Sequence, residues 1–307
     1  MTEIYHKEHL LDRAAMAAMR AMIALQPTAV LGPDGRAAFD ELISRTPQDD
    51  TVTYEAAEVG GVPGWWCRAP DATPGSAILY FHGGAYVVGS AEAYRNFVGQ
   101  IAARAKADAF IPEYRLAPEQ PFPAAVDDGD AAYRGLAAAG MSNIAILGDS
   151  AGGGLALVVA TRMIAGARAG SVPAPVAVAV ISPWTDLALT GDSMTTRAKH
   201  DPLLSREMLE QARTAYLGET NPRNPTASPL YGDFAGFPPA MLHVGEDEIL
   251  LDDARRMADS IVAARATAEL HIWQGMVHVF PANLALLKAA AEALDIVTAF
   301  VRRHLRG

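Results

Sequence analysis

The chain has 307 residues, 50% of them hydrophobic and 20% charged, which excludes a disordered chain, a disulfide-stapled miniprotein and a collagen-like fibre. Lys and Arg number 25 against 35 Asp and Glu, a net charge of −10. Such a surface repels phosphate backbones, so no nucleic-acid partner is expected.

Cys67 is the only cysteine, so no disulfide can close within the chain. No apolar run reaches the roughly 20 residues of a membrane span. Glu3, Lys7, Glu8, Asp12 and Arg13 interrupt the start, which does not read as a secretory signal. A soluble cytoplasmic protein is expected.

In chain order, residues 3–25 read as a helix. Leu11, Ala15, Ala18, Met22 and Leu25 recur at spacings of 4, 3, 4 and 3 and mark one face; Met16, Met19 and Ile23 widen it. A short helix follows Pro33 and ends near Pro47. Residues 51–59 and 62–68, joined by Gly60-Gly61, read as a hairpin. Short apolar runs follow at Ala77–Phe81, Ile144–Leu147, Val176–Ile181 and Met241–Val244, as parallel strands buried on both faces require. Helix-like stretches near 92–105, 122–139 and 151–167 alternate with them, which predicts a doubly wound α/β sheet. Residues 183–239 break the rhythm and read as an insertion carrying one helix near 205–217. The sheet resumes at Met241 and again at 269–273. A helix near 282–304 closes the chain.

The sequence Gly148-Asp149-Ser150-Ala151-Gly152 fits G-x-S-x-G and lies between a strand and a helix, the setting of a nucleophile elbow. Upstream, a strand runs into His82-Gly83-Gly84-Ala85, where bare amides could face a carbonyl oxygen as it turns anionic. Gly83, Gly84 and Ala151 are the candidate donors. A serine hydroxyl needs a base within reach. Of eight histidines, His278 alone sits on a loop after the last strand, at the sheet edge expected for Ser150. The base needs a carboxylate; Asp247 is the first choice in the acidic turn after Val244, with Glu246, Glu248, Asp252 and Asp253 as alternatives. Tyr86, Trp184, Met208, Tyr216, Val279 and Phe280 are candidate pocket walls.

Together these residues resemble the hormone-sensitive-lipase-like, bacterial family IV carboxylesterases of the α/β-hydrolase superfamily. The likeness also covers Tyr114–Glu119, Phe122–Ala125, Ser182-Pro183-Trp184, Ser228-Pro229-Leu230, Gly245–Asp247 and Gly275–His278. Ala85 replaces the last glycine of the family's HGGG motif. The resemblance implies an eight-stranded, mostly parallel sheet with helices on both faces and a helical cap. The cap would comprise residues 1–50 and an insertion at about 183–239 of a catalytic domain spanning 51–307. It implies hydrolysis of short- to medium-chain acyl esters through Ser150, His278 and Asp247, without a metal or organic cofactor. It also implies a homodimer, formed through the last strand and its neighbouring helix. A lactone hydrolase or a deacetylase of a small natural product would use the same residues. A non-catalytic ligand-binding protein and a lyase or dehydratase on this scaffold are further readings.

Overall fold

In a computed structural model, residues 1–25 and 30–306 are described. Residues 26–29, within the expected N-terminal cap, and residue 307 lie outside them. The elements run β1 (Thr2–His6), α1 (Leu10–Ile23), α2 (Arg36–Ser44), the hairpin β2 (Thr53–Val59) and β3 (Val62–Arg68), β4 (Ser76–Phe81), α3 (Ala91–Ala105), β5 (Asp108–Pro112), α4 (Ala124–Ala138), β6 (Asn143–Asp149) and α5 (Ser150–Arg168). They continue with β7 (Ala177–Ile181), the four-residue α6 (Ser193–Thr196), α7 (Arg206–Leu217), β8 (Ala240–Gly245), α8 (Leu251–Ala263), β9 (Ala268–Trp273) and α9 (Lys288–Leu305).

The strands form one sheet in the order β1-β9-β8-β7-β6-β4-β5-β3-β2. Pairing is parallel except where β3 meets β2 and β5. The apolar runs form the centre of this sheet: β4, β7 and β8 are buried along their whole length. Helices α4, α5 and α8 cover one face, packing on Leu79, Ile146, Val178 and Leu242. Helices α3 and α9 cover the other, against Ile78, Leu147, Ala179 and Met241. Helix α5 is long and apolar enough to cross a membrane, but most of it is buried inside this layer. After β5 the chain returns to the other side of β4 to lay down β6. In open α/β sheets such a reversal marks the crevice where ligands bind, here at the carboxyl ends of β4 and β6.

Three expectations need correction. The sheet has nine strands among the described residues, because the first residues form β1 rather than the start of a helix. Local periodicity misses β1 because its hydrogen-bond partner is β9, paired from Thr2 with Glu269 to His6 with Trp273. That pairing also closes the β9 edge through which a dimer was expected. Finally, the expected buried stripe of α1 faces outward: Leu11, Met22 and Leu25 are 80%, 59% and 88% exposed. The helix is turned so that Met16 enters the core and Asp12 caps α9, accepting the N–H of Lys288 (2.9 Å) and Ala289 (2.8 Å). A capped helix start is worth about 1 kcal/mol. The last helix starts at Lys288, after a short 3-10 turn at Phe280–Ala282.

Candidate active site

Ser150 is the first residue of α5, directly after central strand β6. Its φ of +53° is a left-handed conformation that a non-glycine residue adopts only under constraint. The constraint is close packing: a Cβ on Gly152 would lie 2.1 Å from the Phe81 carbonyl oxygen, so α5 presses directly against the end of β4. Among the described residues, five of the eight non-glycine positions with positive φ lie at this crevice: Ala85, Tyr86, Ser150, Ser182 and Val279. Strain of this kind concentrates where geometry serves a site.

His278 reaches Ser150 from the loop after β9. Its Nε2 lies 2.9 Å from Ser150 Oγ and its Nδ1 lies 2.8 Å from Glu248 Oε2. The carboxylate beside the base is therefore Glu248, and Asp247, the expected acid, is displaced from that position. Asp247 points away and pairs with Arg20 at 2.5 Å. Glu248 is wholly buried, and its other oxygen accepts bonds from Ser182 Oγ and the Gly245 N–H, both at 2.6 Å. In the sequence, Glu246, Asp247, Glu248, Asp252 and Asp253 all lie close to this strand end and satisfy the chemistry alike. The available signal was the run Ile249-Leu250-Leu251, all buried, which turns the chain inward immediately after Glu248.

Burial pushes the imidazole of His278 down, but the hydrogen bond and charge of Glu248, helped by Asp201 and Asp149, hold it above its ordinary value of 6.5. An imidazole so placed can take a proton from the hydroxyl and keep it as a paired imidazolium.

The oxyanion amides also differ from expectation. The Gly83 N–H is bonded to Asp149 Oδ1 at 3.0 Å and is not free to meet a substrate. Asp149 is buried and accepts the hydroxyls of Tyr80 (2.8 Å) and Tyr94 (3.0 Å), and burial raises its carboxyl to about 6. A Cβ on Gly83 would sit 2.2 Å from Asp149 Oδ2, so glycine is needed there for close approach. Gly84 and Ala85 are only partly buried, and among the described residues no acceptor is bonded to their N–H groups. Ala151, in the first turn of α5, has a backbone N–H with no intrahelical partner. The three free amides are thus those of Gly84, Ala85 and Ala151. No group of three or more His, Cys, Asp or Glu among the described residues could hold a metal.

The α/β-hydrolase fold family matches residues 78–282, the span that carries this arrangement up to His278. The chain belongs to the hormone-sensitive-lipase-like esterases of that fold. The esterase is 36% identical to an acetyl-hydrolase of Streptomyces hygroscopicus over 280 residues, 91% of this chain and 90% of the relative. It is 32% identical to an esterase of Acinetobacter venetianus, covering 92% and 93% of the two chains. A solved esterase from the bacterial hormone-sensitive lipase family superposes with a TM-score of 0.88 at 39% identity, covering 96% of this chain and 98% of that one. This hormone-sensitive-lipase-like esterase is a carboxylic-ester hydrolase.

The candidate walls of the esterase divide in two. Tyr86 and Tyr216 stack face to face with centroids 3.8 Å apart, Trp184 lies 6.3 Å from Tyr86, and all three are buried. The backbone N–H of Trp184 donates to the Ser150 carbonyl at 2.9 Å and its indole N–H to the Asp186 carbonyl at 3.3 Å. Met208 is half-buried on α7, and half-buried Val279 is held by the Ser182 hydroxyl at 3.1 Å. Phe280 instead sits wholly inside a separate cluster with Met16, Trp273 and Met276. The aromatic that follows the base is scaffold and does not line the crevice.

Proposed function

We propose that the esterase cleaves short- to medium-chain acyl esters by a two-step acyl transfer on Ser150. His278 takes the Ser150 proton as the hydroxyl attacks the ester carbonyl, and Glu248 orients and stabilises the imidazolium. The amides of Gly84, Ala85 and Ala151 receive the oxyanion, each donor of this kind being worth roughly 3–4 kcal/mol in the transition state. The carbon–oxygen bond breaks and the alcohol leaves with the proton from His278. Water, deprotonated by the same imidazole, then hydrolyses the acyl-enzyme. The observation that carries this reading is the unbroken chain from Glu248 through His278 to Ser150, with bonds of 2.8 and 2.9 Å.

Helices α1 and α2 together with residues 183–239 act as a cap, and Tyr86, Trp184, Tyr216, Met208 and Val279 bound the acyl and alcohol groups beneath it. An acyl group as small as acetyl is supported by the likeness to a relative named an acetyl-hydrolase. Deacetylation of a small natural product therefore remains the second reading.

Ser150→Ala should lower turnover of p-nitrophenyl butyrate by roughly 10⁶-fold without loss of fold. In the wild type, p-nitrophenyl esters should slow beyond about ten acyl carbons, as a bounded pocket requires. Retained turnover in the serine variant would refute the mechanism, and rates that climb with longer chains would refute the pocket. The protein is further read as a cytoplasmic homodimer whose interface avoids the closed β9 edge. Light scattering should then return twice the chain mass of 32.5 kDa; the single mass rejects the dimer.

A further inference from the structure

Three consecutive carboxylates follow β8, and each has a different partner. Glu246 faces Arg197 of the β7–β8 segment at 3.8 Å. Asp247 takes Arg20 of α1 at 2.5 Å. Glu248 takes His278. Arg20 is a fork, because its second terminal nitrogen donates to the carbonyl of His200 in the β7–β8 segment. The next residue, Asp201, is buried and accepts the N–H of Ile249 at 3.0 Å, just past Glu248. The turn that presents Glu248 is therefore tied both to α1 and to residues 197–201.

Helix α1 is itself fixed to the rest of the molecule. Asp12 caps α9, and Met16 packs with Trp273, Met276 and Val277. Met276 and Val277 lead directly to His278, and the Met276 carbonyl accepts the Asp247 N–H at 3.2 Å. One helix thus braces the loop of the base through Met16 and the turn of the acid through Arg20. The Arg20–Asp247 pair is largely sheltered, with side chains 29% and 18% exposed. Burial raises the Asp247 carboxyl and the charge of Arg20 opposes that rise.

We propose that Arg20 is a positioning residue for the triad: by gripping Asp247 and the His200 carbonyl together, it holds the turn that aims Glu248 at His278. The inference rests on the assignment of Ser150, His278 and Glu248 made above. Arg20 does not hold Glu248 alone, since Ser182 and the Gly245 N–H also bind that carboxylate. Its loss should therefore misplace the acid without removing it. A displacement of about 1 Å at a catalytic group costs up to roughly 100-fold in rate.

The test compares Arg20→Met, Asp247→Ala, the double variant and Arg20→Lys, reading kcat, KM, the pH profile and the melting temperature with p-nitrophenyl butyrate. Each single variant should lose about 10- to 100-fold in kcat. The acid limb of kcat/KM should move to lower pH, because His278 loses a fixed carboxylate. The double variant should match either single one, since both cut the same link. Arg20→Lys should recover part of kcat, because its ammonium still reaches Asp247. Wild-type kcat and acid limb in Arg20→Met would overturn the proposal, as would losses that multiply in the double variant. A drop in activity that follows only the folded fraction, with an unmoved limb, would overturn it too. Turnover surviving in Ser150→Ala would instead indict the triad reading, so the two failures are separable.

Discussion

Asp247 and Glu248 are adjacent carboxylates placed in the same turn, yet one pairs with a guanidinium and the other with an imidazole. Position after a strand end could narrow the acid to five carboxylates, Glu246, Asp247, Glu248, Asp252 and Asp253, but not decide among them, because the choice depends on which side chain the backbone turns inward. The same limit applies at the glycine loop. There the motif located the amides, while the bond from Gly83 to Asp149 shifted the free ones along by one residue. Ser150 and His278 were legible because each stands alone as the reactive group of its loop. Glu248→Gln should lower kcat by about 10⁴-fold, far more than Asp247→Ala, because it removes the charge that stabilises the imidazolium. The pH dependence has a definite sign. His278 works as a base when neutral, and its value is held above 6.5, so activity falls as pH drops through a point above 6.5. Without the Glu248 charge that acid limb should move down. A limb that stays in place in Glu248→Gln would mean that another group controls it.

At the scale of elements, strands buried on both faces announced themselves as apolar runs, and helices did so by spacing. Strand β1 did not, because five residues with no apolar run become a strand only by joining an existing edge. It is fastened by an unusual set of rings. His6 stacks on Trp273 at 3.8 Å, and His243 stacks on His271 at 4.4 Å. His6 Nε2 lies 2.9 Å from His271 Nδ1, and the Trp273 N–H donates to His243 Nδ1 at 3.0 Å. Burial lowers all three imidazoles, His271 to about 4. A histidine depressed in the folded state stays neutral while its unfolded counterpart takes up a proton. Its contribution is therefore complete above 6.5 and lost as pH falls toward about 4. His271→Asn cannot titrate, so the stability gap between wild type and this variant should be wider at pH 7 than at pH 5. Urea unfolding of both proteins at the two pH values measures it, and an equal gap at both would contradict the assignment.

For the whole molecule, the reversal of strand order beside β6 gathers five carboxyl ends into one crevice: β4 brings the amides, β6 the nucleophile, β7 Ser182, β8 the acid and β9 the base. That convergence was readable as a pattern of motifs at strand ends, since α/β sheets place ligands there. How the N-terminal segment grips the sheet was not readable, because its contacts run to residues more than 200 positions away, Asp12 to Lys288 and Arg20 to Asp247 among them. The border formed by β1 has a practical corollary. Trimming the first seven residues would uncover the backbone of β9 as a bare, adhesive rim, open to strands of other molecules. Material shortened at that end should clump with rising concentration even while its chemistry remains intact.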